Sequence, residues 1–176
     1  MNPERSNDLC LECGLCCNGV LFVDGELLTE DNAPRLQQLG LKVFENSKSK
    51  FVTRKFAQPC AVFDGCRCGI YSERPMYCRQ FECLLLKSVK NGHTPKAEAA
   101  KVIQQARKRA GNVKRLLREL GDDDDDVPLS TRFRRVKRRI ETREADANAL
   151  ERFGELTLAV HDLNLLLSSA FYPGEE

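Results

Sequence analysis

Four cysteines fall within eight residues, Cys10-x-x-Cys13-x-x-Cys16-Cys17, and five more follow at Cys60, Cys66, Cys68, Cys78 and Cys83. Residues 84–176 contain none. This lopsided distribution constrains the chain more than any other feature, because nine thiols in one half must be paired, buried or bound. The opening MNPERSNDLC leads into no apolar run, so no secretory signal is expected and the chain reads as cytoplasmic. A reducing cytosol disfavours structural disulfides, and the cysteine count is odd. Thiolates bound to metal account for the pattern better.

Spacing sharpens that reading. Two residues between cysteines let a tight turn aim both sulfurs at one ion, as each half-site of a zinc knuckle does. Three cysteines so spaced also resemble the run that wraps an iron–sulfur cluster. Gly14 relieves backbone crowding where the turn must be tight. Adjacent Cys16 and Cys17 do not ordinarily face the same point, so one of them reaches a second metal or bridges two. The later cysteines are looser. Cys78 and Cys83 are five apart, a rotation of about 140° on an unbroken helix, so either the helix breaks or the site wraps around its end. By strand alternation Cys66 and Cys68 share a face and Cys60 points the other way, unless Pro59 holds it outside the strand. Spacing alone does not divide these five into ligands and buried small hydrophobes.

The remaining signals describe an α+β chain that divides near Asn91-Gly92. In the first part, Val20 to Val23 reads as a strand into an Asp24-Gly25 turn. Asp31 to Leu39 reads as a helix with Pro34 in its first turn and Gly40 past its end, and Phe51 to Phe56 as a strand. Asp64-Gly65 signals a hairpin, and Ser72 a helix with Pro75 in its first turn running toward Lys90. In the second part, apolar residues from Ala99 to Leu120 recur at helical spacing until Gly121. Asp122 to Asp126 reads as a solvated loop, since adjacent like charges repel. A second helix is expected from Ser130 to Leu167, interrupted or bent at Gly154. The short connection predicts an antiparallel helical hairpin burying Val102, Ile103, Leu116, Leu117, Val136, Leu156 and Val160.

The ordered combination of Cys10-x-x-Cys13-x-x-Cys16-Cys17, Pro59-Cys60 and Cys68-Gly-Ile-Tyr-Ser-Glu-Arg-Pro-Met-Tyr-Cys78-Arg-Gln-Phe-Glu-Cys83 resembles the YkgJ-type cysteine-cluster family of zinc- or iron-chelating domains. The resemblance implies a ligand set of Cys10, Cys13, Cys16, Cys17, Cys60, Cys68, Cys78 and Cys83, and leaves Cys66 outside the pattern. It implies a cofactor class, Zn²⁺ or iron with an iron–sulfur cluster among the options, and no reaction.

Other residues carry weaker signals. Arg74 and Arg79 flank Cys78, where they either offset a thiolate-rich charge or form surface salt bridges. His93 and His161 read as solvated or packed imidazoles rather than ligands. Basic residues outnumber acids ten to two over 84–121, and a further cluster includes Arg132, Arg134, Arg135, Arg138 and Arg139. Without interleaved aromatics for base stacking, this reads as a solvated helical face before a phosphate-binding one, and Arg134, Arg135, Arg138 and Arg139 read as dispensable for folding. No stretch approaches a membrane span. No P-loop, G-x-S-x-G or H-E-x-x-H occurs, so no catalytic residue is assigned.

The sequence therefore predicts a metal-stapled cysteine domain at residues 1–90, followed by a basic amphipathic helical hairpin at 91–176. Its expected partner is a metal ion. An iron–sulfur oxidoreductase or electron carrier, and a nucleic-acid-binding module with structural metal, are the alternatives.

Overall fold

The computed structural model describes residues 7–46, 52–65, 67–142 and 146–172. Elements follow in the order α1 (Asn7–Cys13), β1 (Asp24–Glu26), α2 (Ala33–Gln38), β2 (Val43–Asn46), β3 (Thr53–Ala57), a 3₁₀ turn (Tyr71–Glu73), α3 (Met76–Gln80), α4 (Leu84–Lys90), α5 (Lys96–Glu119), α6 (Leu129–Thr142) and α7 (Ala147–Ala170). The α+β expectation holds. Three short antiparallel strands lie in the order β1-β3-β2, with Gly25 opposite Phe56 and Val43 opposite the same residue on the other edge.

Local chemistry explains most element boundaries. Pro34 occupies the first turn of α2, Asn32 caps it by accepting from the Arg35 N–H, and Gly40 follows its end. Gly121, with φ of 75°, terminates the α5 turn as the sequence predicts. Two expectations shift. The first strand is Asp24–Glu26 rather than Val20–Val23, because the Phe56 ring lies across Gly25: a Cβ there would stand 2.2 Å from Phe56 Cζ. The Asp64-Gly65 segment is a tight loop closed by a single bridge between Phe63 and Cys68, not an extended hairpin.

The helical half is a three-helix unit. α5 and α7 run antiparallel: the Arg109 guanidinium donates to Asp162 O and Arg152 pairs with Glu119. The expected second helix is two helices, and α7 passes unbroken through Gly154. Its N-terminus is capped by Asp146, whose carboxylate accepts from the Ala149 N–H at 2.7 Å. α5 buries Ala99, Ile103, Ala106, Ala110, Val113, Leu116 and Leu117 along one face. Val136 and Leu156 are fully buried opposite them, and Val102 and Val160 are partly so.

The aspartate loop departs from its expected solvated character. Asp122 and Arg132 are each 1% exposed at the side chain and paired at 2.9 Å. Arg132 also donates to the Asp122 carbonyl and to Asp125, while Arg135 grips Asp122 from the outside. Arg139 donates to the Leu120 and Gly121 carbonyls that end α5. Like-charge repulsion within the loop is offset by guanidinium groups from α6, so Arg135 and Arg139 link α6 to the end of α5 rather than standing as unpaired solvated charges.

Two apolar cores result. The larger joins Leu9, Leu15, Val20 and Leu21 to α4, α5, α6 and α7. The smaller, under the sheet, contains Leu27, Ala33, Leu36, Leu41, Phe56 and Ile70. The larger core therefore draws residues from both sides of position 90. Among the described residues no helix is long and apolar enough to cross a membrane.

Candidate metal centre

Eight free cysteines meet where the two cores adjoin. All eight line one cavity of about 150 Å³ whose apolar wall includes Leu15, Ile103 and Phe171 from the larger core and Leu41, Phe56 and Ile70 from the smaller. They are the eight that the resemblance implies. Cys66 lies outside the described residues.

The first C-x-x-C is the last turn of α1 rather than a loop, which puts Cys10 and Cys13 three apart on one helical face. Gly14 then reverses the chain with φ of 66°, and the Cys17 and Asn18 N–H groups both donate to its carbonyl at 3.0 Å. A Cβ at Gly14 would lie 2.5 Å from Phe63 Cζ. Glycine is thus required twice, for the turn and for the approach of the loop carrying Cys60 and Cys68. The Cys60 N–H donates to the Cys17 carbonyl at 2.7 Å, which ties that loop to the end of the cysteine run.

Cys78 sits in α3 and Cys83 caps α4, its sulfur accepting from the Leu86 N–H at 3.4 Å. Extended backbone at Phe81 separates the two short helices, so the helix breaks between the cysteines. Phe22 packs edge-on against Tyr77 and Phe81, with ring centroids 5.9 and 4.9 Å away. The same aromatic group bridges the two cores beside the cavity.

Burial sets the thiol chemistry. It pushes Cys13, Cys17 and Cys78 up to about 12 from the ordinary 9.0, and neighbouring cysteines add to the rise. Cys16 is raised well above its ordinary value by the same causes. Cys10, Cys60 and Cys83 are also raised, burial again being the largest cause. In the metal-free chain these thiols are neutral near pH 7, so a bound cation must displace their protons.

Cations lie close by. Arg74 stacks 4.0 Å over the Tyr71 ring and partly offsets the rise at both Cys10 and Cys78. Lys90 acts similarly on Cys10, and Arg107 on Cys13. Arg79 is occupied otherwise, donating to the Arg74 and Ser72 carbonyls. The structure thus separates two arginines that flank Cys78 alike in sequence. His93 and His161 are exposed and stand outside the cavity lining.

The donor set suits zinc or iron: soft sulfurs in an apolar wall with cations to balance thiolate charge. Two wall atoms, Gln58 Oε1 and the Tyr71 hydroxyl, are buried without a hydrogen-bond partner. Tyr71 belongs to the quoted cysteine motif, but spacing assigned it no role, and nothing in the sequence marked Gln58. Among the described residues, no three His, Cys, Asp or Glu side chains stand close enough together to hold an ion as placed. Ligation therefore requires the sulfurs to draw inward from the cavity wall.

No curated protein and no solved structure matches the chain. A family model does match, over residues 9–109, which include all eight cysteines and the α5 residues Ile103 and Arg107. By that match the chain belongs to the CxxCxxCC family, described as a "putative zinc- or iron-chelating domain".

Proposed function

We propose that the protein is a zinc- or iron-binding protein whose metal is held by Cys10, Cys13, Cys16, Cys17, Cys60, Cys68, Cys78 and Cys83, within a reducing cytoplasm. The observation that carries this reading is the convergence of eight free thiols, drawn from five separate segments, on one cavity. Residues before Asn91 supply the sulfurs, and the later helices supply apolar wall through Ile103 and Phe171. Without metal, thiols lining a cavity contribute only as small hydrophobes, and that role does not select cysteine eight times over in one place. Thiolate ligation uses them all.

The test is anaerobic purification of the full chain followed by elemental analysis and an absorption spectrum. Stoichiometric zinc without colour, or iron with charge-transfer absorption in the visible, supports the reading and distinguishes its two forms. A chain that carries neither metal, and takes up neither after reduction, refutes it.

A further inference from the structure

We propose that the eight cysteines form two separate four-sulfur centres, one from Cys10, Cys13, Cys16 and Cys83 and the other from Cys17, Cys60, Cys68 and Cys78, divided at the Cys16–Cys17 peptide. The inference rests on the chelation reading above and adds to it how the ligands are shared.

Packing makes the first distinction. Cys13, Cys16 and Cys83 pack against the larger core, whereas Cys60, Cys68 and Cys78 pack against the smaller one. Backbone placement assigns the other two. Cys10 shares the α1 face with Cys13, one helical turn away. Cys17 is joined to the second set by its carbonyl, which accepts from the Cys60 N–H at 2.7 Å.

The remaining geometry agrees. Adjacent side chains leave the backbone in different directions, so Cys16 and Cys17 serve opposite sides of the run. The break at Phe81 does the same for Cys78 and Cys83, since α3 contacts β1 while α4 packs on α5 and α7.

Four thiolates complete either a tetrahedral zinc site or the protein ligation of one iron–sulfur cluster, so the division does not depend on the metal. Arg74 lines the same cavity as Cys10 of one set and Cys78 of the other, where its positive charge can offset thiolate charge from both.

The experiment is metal analysis of the full-length chain and of Cys13→Ser and Cys78→Ser, each reconstituted anaerobically with the metal found in the wild type. Each single variant should retain half of the wild-type metal, a twofold drop, and the double variant should retain none. Cobalt(II) titration gives a second readout: the thiolate charge-transfer intensity at saturation should halve in each variant. Loss of all metal from either single variant, with its helical circular dichroism intact, overturns the division in favour of one shared cluster. Retention of full metal content by either variant overturns it as well. Should Cys13→Ser or Cys78→Ser fail to fold, Cys10→Ser and Cys60→Ser report on the same two sets. A wild-type chain that binds no metal refutes the chelation reading itself, whereas a metal-replete wild type with all-or-none variants refutes only the division.

Discussion

Replacing Asp122 by Ala should destabilise the helical half far more than replacing its neighbour Asp124, although the two lie in one acidic run. Arg132 is 1% exposed at the side chain and donates to Asp122 Oδ1 at 2.9 Å, the Asp122 carbonyl at 2.5 Å and Asp125 Oδ1 at 2.5 Å. Asp122→Ala leaves that guanidinium buried with the carbonyl and a half-exposed Asp125 as its acceptors. Removing one partner of a buried pair costs about 3–5 kcal/mol, and the surviving contacts place this case near ~3 kcal/mol. Asp124 pairs with Arg135 at 3.3 Å, with both side chains nearly half exposed, so its loss should cost below ~1 kcal/mol. With a urea slope of about 2 kcal/mol per molar, Asp122→Ala should lower the midpoint by ~1.5 M. The assay is urea unfolding followed by circular dichroism at fixed metal. If the two variants fall within ~0.5 kcal/mol of each other, the buried clamp is not what holds α6 to α5.

Asp122 also carries a pH signature. Burial opposes its ionisation, but the bonds from Arg135 and Arg132 outweigh burial and hold the carboxyl below its ordinary 3.8. Its stabilisation is therefore complete above that value and lost as pH falls through the lower folded value, so Asp122→Asn should flatten the acid limb of the stability profile. Gly14→Ala should destabilise by at least ~1–2 kcal/mol and weaken metal uptake, through its positive φ and the Phe63 ring; Gly111→Ala, at an open helical position, should stabilise by up to ~1 kcal/mol. Leu117→Ala, fully buried on α5, should cost about 2–5 kcal/mol in the same urea assay. Stripping metal with a chelator should expose residues 24–78 to protease before α5 and α7; simultaneous cleavage of both regions would count against that order.

The parts of the fold that sequence revealed are those governed by local rules. Pro34 with Gly40, and the apolar stripe of α5 with Gly121, specify their own helices because capping and periodicity act within a few residues. Eight cysteines fall into one ordered motif in the sequence, and they line one cavity. The proposed division is only half legible there: the Cys16-Cys17 adjacency announces two directions, but nothing in spacing says which later cysteine joins which side. That depends on two cores whose members are far apart in sequence. The Asp122 error has a similar origin. Charge patterning treats each residue by its neighbours in the chain, and the compensating guanidinium of Arg132 arrives from the next helix. Gly25 misled for the same reason, since the residue that demands glycine there is Phe56 on the paired strand.

The basic exterior and the cysteine cavity meet in α5. The family match ends at residue 109, six residues beyond Ile103 and two beyond Arg107 on α5. Ile103 contributes to the cavity wall, and Arg107 both donates to the Glu12 carbonyl at 3.0 Å and lowers the rise at Cys13. The matched segment thus closes where α5 leaves the neighbourhood of the thiols. Farther along, α5 meets the starts of α6 and α7, and among the described residues beyond α5 only Phe171, just past the end of α7, lines the cavity. A core of six buried residues under the sheet is small to stand alone, each large apolar side chain contributing about 1.5–3 kcal/mol against the entropy of ordering its segment. The larger core is better supplied, and α1 already belongs to it through Leu9. On the proposed division, a metal joining Cys17 to Cys60, Cys68 and Cys78 would add stability on the side that has least, while the helices hold the other cysteine set in place.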